Sequence, residues 1–284
     1  MNDAFPRIGL ALSGGGARGN AHVGVLRALA ENNIRIDCIA GTSSGSIVGG
    51  AFAAGLSLDE IEALGRKLRW RHIGRVTMSR QGVQSNARME TYLRARLPVS
   101  RFEDLSIPFA AVATDLNTGS AVVMRDRGDV PFAIRASCTI PGWYVPVKDE
   151  HGRQLVDGGL VAVIPSVAAR ALGADIVIAV DVNADGATFF GASTGSILGV
   201  MLQSLLVVQK SASQLQVDAA DLVIRPKTAR IRWDQVRRSD ELFAAGYQAG
   251  LESIPRIHAL MDDATKVVRS STFRLPLPKE QAKA

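Results

Sequence analysis

The sequence has few of the residues that point to several common kinds of protein. It holds only two cysteines, Cys38 and Cys138, both in apolar stretches, so we expect two buried thiols rather than a disulfide. Its three tryptophans and three tyrosines offer little for stacking on bases, and it shows neither zinc-ligand spacing nor a basic zipper helix. We therefore expect no nucleic-acid partner.

Long apolar runs are missing as well. The most apolar window, residues 197–208, would reach only about 18 Å as a helix, whereas a membrane span needs about 20 residues. The N-terminal MNDAFPRIGLALSGGG carries an early acid and a short apolar run, which is not the pattern of a secretory signal. With 47% hydrophobic residues, the chain can bury a sizeable core. We expect a cytoplasmic protein with one domain over residues 1–284 and a short polar tail from about residue 270.

Positive charge is in excess, with a formal net charge of +6. It is densest in residues 66–80, RKLRWRHIGRVTMSR, and no acid stands between Glu62 and Glu90. This basic stretch fits two interpretations: a solvated helix face with its loop, or a peripheral surface where cations meet anionic lipid headgroups while apolar side chains enter the interface. The apolar residues interleaved with its charges are Trp70, Ile73, Val76 and Met78.

Short apolar stretches alternate with helix-like segments along the chain, and several of these stretches are apolar throughout. This pattern predicts a mostly parallel central sheet covered by helices on both faces, a three-layer α/β/α sandwich. Ser57 and Glu60 form a capping box that predicts a helix through Trp70. A long helix is predicted across 197–217, and two further helical stretches are predicted at 239–254 and 257–263.

A candidate nucleophile follows the second predicted strand. Residues Gly41 to Gly45, GTSSG, fit the pattern G-x-S-x-G around Ser43. Between a buried strand and a small-residue helix, this pattern predicts a sharp turn that lifts the Ser hydroxyl off the sheet. Glycines on either side permit the close packing such a turn needs, and the helix N-terminus favours negative charge there. A helix-capping Ser in a tight turn is the alternative.

The residues alone leave more than one candidate for the base that would activate Ser43. Ser43, Asp157 and His258 stand in the order of an α/β-hydrolase triad, but that fold has several strands before its elbow. Asp157 in LVDGGL ends a predicted strand, and a carboxylate in a dry cleft can accept a hydroxyl proton without a histidine. An Asp that merely caps its own turn fits the local sequence equally well.

The glycine-rich loop LSGGGARGNAHVG, residues 12–24, contains G-x-G-x-x-G. A dinucleotide site requires an acid after the second strand, and Asp37 precedes that strand instead. The consecutive amides at 14–16, ahead of a helix, suit an oxyanion as well as a pyrophosphate, and Arg18 adds a cation. We therefore favour a loop that binds a transient negative charge.

Together these motifs resemble the patatin-like phospholipase family, whose pattern is G-G-G-x-[KR]-G, G-x-S-x-G and D-G-[GA]. In this sequence they read Gly14-Gly15-Gly16-Ala17-Arg18-Gly19, Gly41 to Gly45 around Ser43, and Asp157-Gly158-Gly159. The resemblance spans nearly the whole chain. It includes ATDLNTG at 113–119, RASCTIPGW at 135–143, ALGADIVIAVDV at 171–182 and AAGYQAG at 244–250.

The resemblance implies a serine acyl hydrolase with a Ser43–Asp157 dyad. Ser43 would be the nucleophile, Asp157 the proton acceptor, and the amides of Gly14 to Gly16 the oxyanion hole. Arg18, Gly19, Gly41, Gly45, Gly158 and Gly159 would support them. The implied substrates are phospholipids, lysophospholipids and related acyl esters, with neither a metal nor a nucleotide as cofactor and with peripheral contact to an anionic membrane. The oligomeric state is left open.

Two positions depart from the family pattern. Ser44 stands where the family commonly has Ala, and its hydroxyl could compete for hydrogen bonds. Ala162 lies where members often carry an Asn shortly after the Asp-Gly-Gly motif, which could weaken the orientation of the Asp loop. The competing hypothesis is a non-catalytic adaptor on the same fold that uses the basic stretch as its partner surface.

Overall fold

A computed structural model describes residues 5–184 and 197–272 of the chain. Within these ranges, one sheet holds eight strands and a second, small sheet holds three. The strands are β1 (Ile8–Leu12), β2 (Cys38–Thr42), β3 (Arg75–Val76), β4 (Gly82–Ser85), β5 (Phe109–Asp115), β6 (Ala121–Arg125), β7 (Gly142–Tyr144), β8 (Val147–Lys148), β9 (Gln154–Asp157), β10 (Ile176–Val180) and β11 (Leu222–Ile224).

The helices lie between these strands and after the last of them. They are α1 (Asn20–Glu31), α2 (Ser44–Ala53), α3 (Leu58–Lys67), α4 (Trp70–Ile73), α5 (Ala87–Arg94), α6 (Val130–Ser137), α7 (Ser166–Ala171), α8 (Ile197–Val217) and α9 (Ser239–Thr272). None of the helices in the two described ranges has the length and apolarity that a membrane span requires.

The large sheet is parallel at its centre. The order β11-β10-β1-β2-β5 is parallel throughout, and β6, β8 and β9 add antiparallel pairs beyond β5. Because β1 and β2 are adjacent and parallel, the glycine-rich loop and the Ser43 turn leave the sheet at the same edge, as the motifs predict. Asp157 reaches that edge from the antiparallel β9, where it pairs with Ala113.

The two faces of the sheet carry separate apolar cores. On one face, side chains such as Leu10 and Ile39 pack against helices that include α1, α2 and α9. On the other face, Ala11 and Ala40 pack against α7 and the end of α8. The predicted three-layer α/β/α arrangement is therefore confirmed. Cys38 and Cys138 are both buried and unbridged, as expected.

Two predicted helix boundaries are wrong. The helix that begins at the Ser57–Glu60 capping box ends at Lys67, because Leu68 and Arg69 adopt extended backbone before the short α4. The two predicted C-terminal helices are one, α9, which continues through Pro255. Close packing of α9 along α1 holds this helix together, since a side chain on Gly246 would meet the backbone of Ala21.

The small sheet was not predicted, because its strands are two to four residues long and lack a strand-like apolar pattern. The C-terminal part of the basic stretch forms β3 and the turn of the β3–β4 hairpin in this sheet. Val76 is 74% exposed there, and Met78 at the tip is fully exposed. Because β4 pairs with β7, this hairpin lies beside Ile140 and Pro141, which approach Ser43.

Candidate active site

Ser43 occupies the sharp turn between β2 and α2. Its φ of 51° and ψ of −122° are unusual for a residue with a side chain, and such strain is typical of functional turns. A Cβ on Gly41 would lie 2.5 Å from the carbonyl oxygen of Gly45, and a Cβ on Gly45 would meet the carbonyl of Leu12. Both glycines of the motif are therefore required by close packing.

Hydrogen bonds hold this turn on both sides. The amide of Ser43 donates to Ser137 Oγ at 2.9 Å, and that hydroxyl donates to the carbonyl of Val112 at 2.6 Å. The hydroxyl of Ser46 donates to the carbonyl of Ser43 at 2.6 Å. Sequence reasoning missed Ser137, although its place in RASCTIPGW was a signal.

Asp157 sits at the end of β9 with 6% of its surface exposed. Its Oδ1 accepts the amide of Gly159 at 2.8 Å, and Thr114 Oγ1 donates to its carbonyl at 2.9 Å. A Cβ on Gly158 would meet the carbonyl of Val112, so the chain can turn back over β5 only with a glycine there.

The environment of Asp157 sets its proton affinity. Burial raises the pKa of its carboxyl group from 3.8 to about 6, while hydrogen bonds from the Gly159 amide and the Ser43 side chain oppose that rise. A buried carboxylate that shares a pocket with a Ser hydroxyl, and whose pKa is just below neutral, can take up and return a proton during a reaction.

The three glycine amides of the loop are not equivalent. The amide of Gly14 donates to the carbonyl of Val163 at 3.1 Å, whereas those of Gly15 and Gly16 donate to no residue within the described ranges. Gly16 has a φ of +58°, and a Cβ there would lie 2.6 Å from the carbonyl oxygen of Trp233. A Cβ on Gly14 would lie 3.3 Å from the Cβ of Ser43, which puts this loop against the turn.

Arg18 supports this loop from inside the fold. Its Nε donates to the carbonyl of Ile231 at 2.7 Å and its Nη1 donates to Asn183 Oδ1 at 3.1 Å. Asn183 in turn donates to the carbonyl of Gly14 at 2.6 Å. Burial lowers the pKa of Arg18 to about 10, so it stays charged at neutral pH.

Two further residues that the sequence analysis did not assign to the site also hold its loops. Asn183 follows β10, which pairs in parallel with β1. Because both strands end at the same edge of the sheet, a polar residue after β10 is expected to face the glycine loop. The buried His22 contacts the carbonyl of Ser13 through Nε2 at 2.8 Å, and burial lowers the pKa of its ring to about 4, so the neutral ring donates to that carbonyl.

Two pockets meet at Ser43, and Gly16 and Ile140 also line both. The first, which we call the Trp70 pocket, has an apolar wall of Val48, Leu68, Trp70, Ile73, Met89 and Tyr144. The second, which we call the Leu202 pocket, is bounded by Asp157, Asn183, Leu202, Leu206, Gln209 and Trp233. The basic stretch therefore lines one of the two pockets that reach Ser43, and α8 lines the other.

Two alternative readings of the sequence do not match this geometry. His258 is exposed on α9 and lines neither pocket, so the triad that it would complete is not assembled. Asp37 accepts the amide of Ile8 at 2.8 Å and pairs with Arg35 at 2.9 Å, at the opposite end of β2 from the glycine loop. It therefore cannot serve as the acid of a dinucleotide site.

The two departures from the family pattern are accommodated. The buried hydroxyl of Ser44 makes no hydrogen bond within the described residues, so it does not compete with the site. At Ala162 the backbone carbonyl accepts Thr42 Oγ1 at 2.7 Å. Gln216 of α8 adds a brace that the sequence did not reveal: it donates to the carbonyl of Val161 at 2.9 Å and accepts the amide of Ile164 at 2.9 Å.

Comparison with models of known protein families assigns the chain to one of them. The family model for patatin-like phospholipases matches residues 10–170, which is more than half of the chain. The chain belongs to the patatin-like phospholipase family. The matched range contains all three motifs, from Gly14 to Gly159.

Two curated relatives each match a little under two thirds of the chain. An uncharacterized NTE family protein of Mycobacterium bovis is 41% identical over 181 residues, covering 63% of this chain and 49% of its own. The lysophospholipase NTE1 of Mycosarcoma maydis is 38% identical over 184 residues, covering 62% of this chain and 10% of its own. The chain thus spans about half of the first relative and far less of the second.

A solved structure supports the fold over most of the chain. VipD from Legionella pneumophila superposes with a TM-score of 0.60 at 13% sequence identity, over 90% of this chain and 67% of its own. At that identity, the likeness concerns the patatin-like fold alone.

Proposed function

We propose that this protein is a serine acyl-ester hydrolase that acts on phospholipids or lysophospholipids through a Ser43–Asp157 dyad. The observation that carries the proposal is that Ser43, in its strained turn, lines one pocket with the buried carboxyl group of Asp157, whose pKa is about 6. Family membership and the lysophospholipase among the relatives support the lipid substrate.

The geometry gives each group a part in the reaction. Ser43 Oγ attacks the ester carbonyl as its proton passes to Asp157, and the negative charge develops on the carbonyl oxygen. The amides of Gly15 and Gly16, which donate to no described residue, would receive that charge beside the N-terminus of α2. The Gly14 amide already donates to the carbonyl of Val163, so we propose Gly15 and Gly16 rather than Gly14 as the donors.

Collapse of the tetrahedral intermediate expels the alcohol, which takes the proton back from Asp157, and leaves an acyl group on Ser43. The same carboxylate then accepts a proton from water as the water oxygen attacks the acyl carbonyl. It returns that proton to Ser43 Oγ as the bond to the acyl group breaks and the fatty acid is released. Among the residues that the structure describes, Asp157 alone gives the Leu202 pocket a titratable side chain, so it would serve both steps.

The Trp70 pocket would hold the acyl chain. Its walls are apolar and mostly buried, and it opens on Ser43. An apolar chain in such a site is stabilised in proportion to the area that it removes from water, by about 25 cal/mol per Å². The Leu202 pocket holds the reacting groups instead.

We further propose that the basic stretch contacts an anionic membrane peripherally. Arg75 and Arg80 flank the exposed Val76 and Met78 on the β3–β4 hairpin, so cations and apolar side chains share one surface. R75Q/R80Q should weaken binding to vesicles of anionic phospholipid, and added salt should weaken wild-type binding. Equal binding by the variant and the wild type at all salt concentrations would contradict this contact.

The experiment that tests the proposed activity compares neighbouring serines. Purified Ser43→Ala should lose hydrolysis of a lysophospholipid by at least about 10³-fold, whereas Ser44→Ala, which removes a hydroxyl without a hydrogen-bond partner, should retain it. Unchanged hydrolysis in Ser43→Ala would refute the dyad. Absence of hydrolysis in folded wild-type protein would favour the adaptor function.

A further inference from the structure

Two distant segments meet in an arginine-rich surface groove near the mouth of the Trp70 pocket. The indole Nε1 of Trp70 donates to the carbonyl of Asp234 at 3.0 Å, and its ring packs edge-on against Trp233 with centroids 5.2 Å apart. These contacts fix residues 69–71 against residues 234–238. We call the surface between them the arginine groove, lined by Arg69, Arg71, Asp234, Gln235, Arg237 and Arg238 together with Trp70 and Val236.

The groove has more positive charge than its own acids neutralise. Asp234 forms an ion pair with Arg232 at 2.6 Å, and Arg238 is paired with Glu241. Arg71 and Arg237 are exposed, and neither side chain forms an ion pair or a hydrogen bond with another residue in the described ranges.

Arg69 adds a third cation that has no acidic partner within the described residues. Its Nη1 donates to the carbonyls of Arg66 and Leu68, at 2.7 and 2.6 Å, which holds its guanidinium group at the end of α3. Three guanidinium groups from two segments thus face one groove, and their planar donor sets match the oxygens of a phosphate group.

The groove is continuous with the proposed catalytic site. Trp70 and Val236 line both the groove and the Trp70 pocket, and Ser43 lies in the wall of that pocket. A ligand with an apolar chain and an anionic group can therefore contact Ser43, the apolar wall and the arginines at once.

We propose that the arginine groove binds the phosphate group of the lipid that is hydrolysed at Ser43, with Arg71 and Arg237 as its main donors. This inference rests on the proposed function for the position of the ester, and it adds a preference for phosphate-bearing over uncharged acyl esters.

The test compares two monomeric substrates with the same short acyl chain, a lysophosphatidylglycerol and a monoacylglycerol, below their micellar concentrations. We expect R71Q/R237Q to lower the ratio of kcat/KM for the first over the second by about tenfold, mainly through KM, because solvent screening limits exposed pairs. R71K/R237K should restore part of the ratio. R127Q/R256Q removes two exposed, unpaired arginines elsewhere in the described chain and should leave the ratio unchanged.

Direct binding separates this inference from the proposed function. On a Ser43→Ala background, calorimetric titration with the lysophosphatidylglycerol should show about tenfold weaker binding when R71Q/R237Q is added. That result would support the groove even if hydrolysis proved not to use Ser43. Titration with inorganic phosphate distinguishes the two sources of the anion, and we expect it to bind far more weakly than the lipid.

Three results would overturn the inference. An unchanged substrate ratio together with unchanged lipid affinity in R71Q/R237Q would show that the groove does not contact the phosphate group. An equal loss in R127Q/R256Q would show that net charge alone is responsible. Inorganic phosphate that binds as tightly as the lipid would assign the groove to a free anion instead.

Discussion

The two pockets that meet at Ser43 are built from different parts of the fold and differ in chemistry. The Leu202 pocket carries Asp157 from the end of β9, together with the glycine loop and Asn183, at the edge of the sheet where β1 and β2 end. The Trp70 pocket is walled by apolar side chains of helices and of β7. This difference underlies our proposal that the Leu202 pocket supplies the reacting groups and the Trp70 pocket binds the acyl chain.

Substitutions in the two pockets are therefore expected to change different kinetic parameters. Changes in the Leu202 pocket should act on kcat and on the pH profile, because they alter groups that interact with the transition state. Changes in the Trp70 pocket should act on KM and on the preference for chain length, because they alter binding that is shared by substrate and transition state.

The largest effect is expected at Asp157. Asp157→Asn should lower kcat by about 10³-fold, since general-base catalysis contributes about 10² to 10⁴. In the wild type, kcat/KM should rise with pH through an apparent pKa of about 6 as the carboxyl group loses its proton. Asp115→Asn, at an equally buried acid outside both pockets, is the control. A flat wild-type profile between pH 5 and 7, measured where the protein is folded, would argue against this base.

The same substitution should stabilise the protein. Burial makes the folded-state pKa of Asp157, about 6, higher than its ordinary value of 3.8, so the ionised form destabilises the fold. Below about pH 4 the carboxyl group is protonated in both the folded and the unfolded chain, and the free energy of unfolding carries no penalty from it. The penalty grows as the pH rises from about 4 to about 6, because the unfolded chain loses this proton first. Since one pKa unit corresponds to about 1.4 kcal/mol, Asp157→Asn should raise the free energy of unfolding at pH 7.5 by about 3 kcal/mol. Urea denaturation at pH 4.5 and 7.5 measures this, and a gain that is equal at both pH values would contradict the assigned cause.

The next effect is expected in the glycine loop. Gly16→Ala would need a Cβ at a φ of +58° and 2.6 Å from the carbonyl oxygen of Trp233, so the loop must shift. We expect kcat to fall by about 10²-fold, the cost of losing one oxyanion donor. Gly119→Ala shares the positive φ of +70° but meets no atom within 4 Å, so it controls for backbone strain alone. Equal activity of the two variants would exclude Gly16 from the oxyanion site.

A smaller effect is expected at Asn183, which acts only by positioning the loop. Asn183→Ala removes the hydrogen bond to the carbonyl of Gly14 and one partner of Arg18. We expect kcat to fall about tenfold with little change in KM. Asn117→Ala, in the exposed β5–β6 turn, is the matched control, and a change in KM alone would place Asn183 in substrate binding instead.

The smallest effect is expected from filling the pockets. Ile47→Trp adds volume to the Trp70 pocket, so KM for a 16-carbon acyl ester should rise about fivefold relative to an 8-carbon ester. Leu206→Trp adds comparable volume to the Leu202 pocket and should not change that ratio. If Leu206→Trp shifts the chain-length preference instead, the acyl chain lies on the same side as the reacting groups.

Much of this arrangement follows from local sequence. The glycine loop is predicted to lie close to the Ser43 turn because adjacent parallel strands end at the same edge of a sheet. The glycines of the motifs predict where two segments of the backbone pack closely. Ser137, Asn183 and Gln216 could not be assigned to the site, because each acts across the fold on a loop more than 50 residues away. The short β3, β4 and β7 escaped detection because they are too short for periodicity to show. The end of α3 at Lys67 could not be predicted, because no capping residue follows it in the sequence. Pro255 predicts the end of a helix, but α9 continues through it because the helix packs along α1.

The most direct test of the account is covalent labelling with an alkyl fluorophosphonate, followed by mass mapping of the modified peptide. If Ser43 is an activated nucleophile, we expect an adduct on Ser43 in the wild type and in Ser44→Ala. We expect no adduct at this position in Ser43→Ala and strongly slowed labelling in Asp157→Asn. An adduct on another residue, or none on folded wild-type protein, would contradict the claim that Ser43 is an activated nucleophile.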